Sequence, residues 1–239
     1  MNQLKEVRDL QDQAKAFRKK GDALRRVGRK DAAIEAYNAG ATALTDALKI
    51  LEPVKDQLAQ TTSPVPVQLE APLNELVETF GALGGMLQRL GLLEASLENY
   101  SEGGALESRF GLSSTYNRLN AVKCLLLAGR RQLRELDPQL RELATQIEIN
   151  LRRDKSLNDS GWAWADLGDC LALLGNLEEA RKAYSSFISK SEIKSPGRTL
   201  EILKEIASKL EKAADPDASR LQNAITILQS ELAAQQSVT

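Results

Sequence analysis

The sequence predicts an all-α chain of antiparallel helix hairpins, about ten helices with no sheet. Three observations carry that prediction. The first is a repeated word: Gly21 to Gly40, Gly84 to Gly103 and Gly168 to Phe187. The first two copies match at eight of twenty positions without a gap, so the repeat sets the architecture before any other pattern. The second is the lack of any stretch alternating apolar and polar residues with β-branched enrichment, the mark of a half-buried strand. The third is composition. Aromatics make up 4% of the chain, while Ala, Leu, Glu, Arg and Lys abound, which suits helices packed by leucine and alanine.

Each matched position in the word has a physical task. Phe17, Phe80 and Trp164 precede the first glycine (Gly21, Gly84, Gly168) by four residues, and Leu24, Leu87 and Leu171 follow it by three. Spacings of three, four and seven share one helix face, so aromatic, glycine and leucine form a single stripe. Trp164 is thereby expected in the core, where its truncation to alanine would cost about 3–5 kcal/mol. A glycine inside a helix costs about 1 kcal/mol against alanine, and close approach of the neighbouring helix is the expected compensation. The second glycine (Gly28, Gly91, Gly175) falls where a helix end requires left-handed backbone. An acid (Asp31, Glu94, Glu178) then opens the second helix, favourable near the positive end of its dipole. That helix buries Ala33, Ser96 or Ala180 and Tyr37, Tyr100 or Tyr184.

The remaining elements follow in chain order. A first helix spans about 4–27, with Leu4, Val7, Leu10, Ala14 and Phe17 at helical spacing. A second starts near Asp31 and ends at Leu51 or, passing Pro53, at Gln60. Pro64, Pro66 and Pro72 fall within nine residues and exclude a helix interior there, so 61–72 reads as a loop or linker. Helices resume at about 72–90, 92–106 and 113–128. Asp137-Pro138, Ser195-Pro196 and Asp215-Pro216 read as an N-cap followed by proline at the first helical position. They open helices near 138–152, 196–213 and 216–234, with 160–174 and 177–190 between them. The expected organisation is a single helical-repeat domain over 1–239, or two lobes, 1–60 and 69–235, joined by 61–72.

The word resembles the tetratricopeptide repeat, whose pattern runs aromatic, Leu-Gly, turn glycine, then small, aromatic and small. Leu83-Gly84 and Leu167-Gly168 reproduce the Leu-Gly pair, while Lys20 precedes Gly21. Gly40 and Gly103 fill the last small slot; Phe187 fits it poorly, and the family's closing proline is absent. The copies start 63 and 84 residues apart, against an ordinary repeat of ~34, so degenerate helices fill the gaps. One filler, Tyr116 to Gly129, together with the Gly161 to Ala165 run, resembles the TRAFs-binding-type domain over roughly 110–190. That divergent repeat domain occurs in apoptosis-signal-regulating kinases and in bacterial proteins.

Net charge is −1, which supplies no global drive toward nucleic acid or membrane, and neither is expected as a partner. The charges are unevenly placed. Residues 1–30 carry ten Lys/Arg and four Asp/Glu, residues 69–107 carry seven glutamates and Arg89 alone, and residues 108–155 carry ten basic and five acidic residues. These stretches are either solvated faces that neutralise one another or a basic groove for an acidic peptide. Cys124 and Cys170, the only cysteines, lack CxxC spacing and read as small core residues of a reducing compartment. With no apolar leader after Met1 and no run long enough to span a bilayer, a cytoplasmic location is expected.

The chain has no histidine, which removes Ser-His-Asp and Cys-His catalysis, imidazole bases and His-ligated metals. Gly103-Gly104 and Gly84-Gly85 lack the context of a phosphate-binding loop. No catalytic residue, cofactor or metal is therefore expected, and the chain is read as a non-enzyme. The repeat resemblance implies a binding groove lined by the first helix of each hairpin. Its candidates are Lys15, Arg18, Asp22, Arg25 and Arg26 in copy one. Copy two contributes Glu78, Gln88 and Arg89, and copy three Trp162, Asp166, Asp169 and Leu173. The family's carboxylate clamp uses lysine and asparagine in set places; Arg18 and Asp22 stand there instead, so the clamp is not reproduced. Trp162 either anchors a ligand or packs on the 138–152 helix. The leading expectation is a non-catalytic scaffold for a protein or peptide, an acidic one included, in a signalling or stress-response assembly. Two others stand beside it: a sensor of an anionic small molecule or nucleotide, and a structural homo-oligomer.

Overall fold

The computed structural model describes residues 2–190 and 197–236, which form α-helices joined by turns and one 3₁₀ segment, with no strand among them. The chain divides into two compact units, Met1–Cys124 and Leu125–Thr239. In the first unit α1 (Asn2–Arg26) and α2 (Lys30–Ala59) form one hairpin, and α3 (Val67–Arg89) and α4 (Leu93–Arg109) form the next. Helix α5 (Tyr116–Leu127) begins in this unit. The second unit holds a 3₁₀ turn (Leu133–Leu136) and α6 (Asp137–Arg153), α7 (Lys155–Ser160), α8 (Trp162–Leu173), α9 (Leu177–Lys190), α10 (Gly197–Lys212) and α11 (Ala218–Gln236).

The repeated glycines do what their spacing requires. In each hairpin the tyrosine of the second helix lies flat on the glycine of the first. A Cβ on Gly21 would stand 2.4 Å from Tyr37, one on Gly84 2.9 Å from Tyr100, and one on Gly168 2.5 Å from Tyr184. All three tyrosines are buried. The lost helix propensity is thus offset by burial of a large ring against bare backbone. The turn glycines Gly28, Gly91 and Gly175 have φ of +78°, +79° and +79°, left-handed as a helix C-terminus demands. Ser96 fills the small slot of its hairpin and donates to the Gly84 carbonyl at 2.8 Å.

Apolar spacing places the cores. Val7 and Ala14 on α1 meet Ala47, Leu51 and Leu76 at one end of the first unit and Tyr37, Leu44 and Met86 at the other. In the second unit Leu140, Leu143, Ile147 and Leu151 form the buried stripe of α6, and Leu203, Ile206 and Leu210 that of α10. The last small slot of the word also has a purpose: Met86 enters at Gly40 and Asn117 at Gly103. Phe187 closes that slot in the third hairpin and is itself fully buried.

Several boundaries differ from the sequence expectation. Helix α3 starts at Val67, with Pro72 inside it. The first four N–H groups of a helix have no intrahelical acceptor, so a proline at the sixth position forfeits a single bond. Asp137 and Asp215 are not N-caps. Helix α6 includes Asp137, whose carboxylate accepts from Arg220 at 3.2 Å. Helix α11 starts at Ala218, and Asp215 instead accepts from the backbone N–H groups of Asp217 (2.9 Å) and Leu133 (3.0 Å). Ser195-Pro196 lies outside the described residues. Helix α7 was not foreseen; Asp154 caps it through Ser156 and Leu157. Trp164 is half-buried rather than a core residue, because its indole N–H reaches out to the Asn158 carbonyl at 3.0 Å.

Candidate functional site

The two hairpins of the first unit build a cleft of about 280 Å³. Its walls come from α1 and α3. On α1, Gln11, Lys15 and Arg18 follow one another at helical spacing; on α3, Glu78, Gly81, Gly85 and Arg89 do the same. Gly81 and Gly85 also line it, but the space beside Gly81 is taken by Asn117 and Tyr116 and that beside Gly85 by Tyr100 and Arg89. Tyr116, at the start of α5, closes one side and is partly exposed. Lys15, Arg18, Glu78 and Arg89, predicted separately from two copies of the word, therefore meet in one place.

One ion pair ties the two copies together. Arg89 Nε donates to Asp22 Oδ1 at 3.0 Å, and its Nη1 donates to the Gly85 carbonyl at 2.9 Å. The same Asp22 oxygen accepts from Tyr37 Oη at 2.9 Å. Burial pushes the Asp22 carboxyl up, but the Arg89 charge and the hydrogen bonds of Arg89 and Tyr37 outweigh it and hold it below its ordinary value. Burial likewise disfavours the Arg89 cation, and Asp22 more than restores it. The third hairpin repeats half of this device: Tyr184 Oη donates to Asp169 Oδ1 at 2.8 Å. The second cannot, because Gly85 stands where copies one and three carry aspartate. Its tyrosine, Tyr100, meets Tyr116 edge-on at 6.0 Å. Burial, reinforced by Tyr116, holds the Tyr100 phenol well above its ordinary value.

At the far wall the electrostatics change sign. Glu75, buried, is paired with Arg8, while Gln11 Nε2 donates to Thr79 Oγ1 at 2.8 Å. Burial and the neighbouring Glu75 charge raise the Glu78 carboxyl, against the pull of Arg8. The cleft is thus lined by Lys15 and Arg18, by Arg89 already paired with Asp22, and by two acids, Asp12 and the Glu78 whose carboxyl is held above its ordinary value.

The other predicted residues divide. Arg25 and Arg26 are exposed beyond the cleft, and Arg26 Nε donates to the Asp22 carbonyl at 3.2 Å. Gln88, Asp169 and Leu173 are buried, which departs from the groove-facing expectation. Asp169 is turned inward by its tyrosine, and Gln88 Nε2 has no hydrogen-bond partner among the described residues. In the second unit Asp166 is half-buried. Trp162 is 52% exposed and lies against Phe187 of α9, ring centroids 5.8 Å apart. Gln11 and Tyr116 were missed. Nothing in the local pattern marks them, since they reach the cleft only once α1, α3 and α5 are packed.

No protein-family model matches the chain, and no curated protein does. Solved structures of similar chains include BtubC (BKLC) from P. vanneervenii, with a TM-score of 0.39 at 14% identity over 95% of this chain and 92% of that one. A second is a Podosopora anserina chain described as a kinesin light chain with nearly identical TPR-like repeats. It has a TM-score of 0.34 at 14% identity over 92% of this chain and 96% of that one. A third is the TPR2AB domain of yeast Sti1 in complex with pHSP90, at 0.23 and 14% identity, covering 90% and 98%.

Proposed function

We propose that the chain is a non-catalytic scaffold that binds an acidic protein segment in the cleft between α1 and α3. The observation that carries this reading is the meeting in one cleft of Lys15 and Arg18 of α1 with Arg89 of α3, which is held in place by Asp22. Guanidinium groups pair with carboxylates bidentately, and Arg18 is exposed at the cleft to do so. The volume lies at the small end of ligand pockets, which suits one or two side chains of a longer segment better than a whole small molecule. Trp162, large and half-exposed, is a second anchor by the same reading, in the second unit. The resemblance of 110–190 to the TRAFs-binding-type domain suggests a signalling or stress-response assembly.

Fluorescence anisotropy with a panel of labelled Asp/Glu-rich peptides tests the proposal. A peptide that binds wild type should lose about tenfold or more with Arg18→Glu. Arg152→Glu, on an exposed side chain of the other unit, should leave it unchanged. Equal loss in both variants, or no binding by any peptide of the panel, would sink the assignment.

A further inference from the structure

A different surface, the turn joining α1 to α2, carries a second and independent reading. Arg25, Arg26, Val27, Gly28, Arg29 and Lys30 are all exposed. None of the four cations is in an ion pair among the described residues; the exposed acids beside the patch are Asp31 and Glu35 on α2 and Glu94 at the start of α4, while Lys19 and Lys20 on α1 add two more exposed cations. Val27 is 71% exposed at the centre of this cluster, and Ile34 on the second turn of α2 is 47% exposed. The pairing of Arg89 with Asp22 brings the α3–α4 turn to the same end of the unit, where Leu92 is 52% exposed. A Cβ on Gly28 or Gly91 would meet nothing within 4 Å, so the space beside each turn glycine is open.

We propose that this end of the first unit docks on an anionic phospholipid surface, with Val27, Ile34 and Leu92 entering the headgroup boundary and the four cations facing lipid phosphates. Charge complementarity favours an anionic partner, and shape favours lipid. A protein interface needs roughly 800 Å² per side, packed as tightly as a core. Single apolar side chains on projecting turns provide no such packing, whereas a bilayer interface accepts them without a matching pocket. Net charge conceals the patch because its cations are offset by glutamates elsewhere in the chain. Docking of this kind needs no spanning segment, and no helix among the described residues is long and apolar enough to cross a membrane.

The test is co-sedimentation of the full chain with phosphatidylcholine vesicles, with and without roughly a quarter phosphatidylserine. Binding should require phosphatidylserine and fade as salt rises from about 0.1 to about 0.5 M. One cation near such a surface is worth about a factor of five in partitioning. Arg29→Gln combined with Lys30→Gln should therefore lower it about 25-fold. Val27→Ser should lower it several-fold while leaving the salt dependence unchanged. All three side chains are exposed, so the variants should fold as wild type does. Absence of phosphatidylserine-dependent sedimentation, or binding indifferent to both variants, would overturn the proposal. So would tighter binding to duplex DNA or to poly-glutamate than to vesicles with Val27→Ser silent, since the patch would then be a plain polyanion or protein site.

Discussion

Gly168→Ala puts the glycine–tyrosine contact to a quantitative test. The added Cβ would stand 2.5 Å from Tyr184 Cε1, far inside contact distance. The ring has nowhere to go: Tyr184 is fully buried, and its hydroxyl is held by Asp169 at 2.8 Å. Overpacking of this kind costs about 1–3 kcal/mol. Loosening the hydrogen bond adds about 1 kcal/mol, and the better helix propensity of alanine returns about 1 kcal/mol. The net expectation is a loss of about 2 kcal/mol. Both tryptophans, Trp162 and Trp164, belong to α8, so tryptophan fluorescence in a urea titration reports on the unit that contains Gly168. With a slope of about 1–2 kcal/mol per molar urea, the midpoint should fall by about 1–2 M. The decisive arm is Tyr184→Leu, in whose background Gly168→Ala should become neutral or stabilising. Should Gly168→Ala raise the midpoint with Tyr184 in place, the glycine would not be there to admit the ring, and the packing argument would fail.

Gly28→Ala should destabilise the first unit by about 1–2 kcal/mol although its Cβ meets no atom, because φ of +78° strains any L side chain; circular dichroism during urea unfolding reads it. Trp164→Ala should cost about 1–2 kcal/mol, below the loss for a fully buried ring, since the side chain is half-buried and held by one hydrogen bond; a loss above 3 kcal/mol would return it to the core. Asp22 should make the first unit acid-sensitive. Its folded value lies below the ordinary 3.8, so its contribution is complete above that value and fades as pH falls through the lower folded value. The difference in melting temperature between wild type and Asp22→Asn should shrink from pH 6 toward pH 3, and a pH-independent difference would contradict the ion pair.

The hairpins were legible because their signal is local. An aromatic, glycine and leucine at spacings of four and three, followed by a turn glycine seven residues on, specify a helix, a stop and a return with no knowledge of neighbours. Pro72 and the two Asp-Pro pairs misled for the opposite reason. A proline's effect depends on which backbone groups lack partners, and this is settled by where the helix begins. Trp164 was misplaced because helical periodicity specifies a face, while its burial depends on α7, a six-residue helix too short to leave a periodic trace.

Read alone, the sequence determined the helical class, the three hairpins, the contacts that close each of them and the cationic character of residues 1–30. These depend on residues within about twenty positions of one another, where chain connectivity itself enforces proximity. The tertiary structure decided which charges meet. Asp22 and Arg89 are 67 positions apart, and they pair because copy two has Gly85 in place of an acid and α3 packs on α1. It also turned Gln88 and Asp169 inward, brought Tyr116 to the cleft and left Val27 standing in solvent. Such contacts are set by the packing of helices distant in sequence, and no local spacing encodes them.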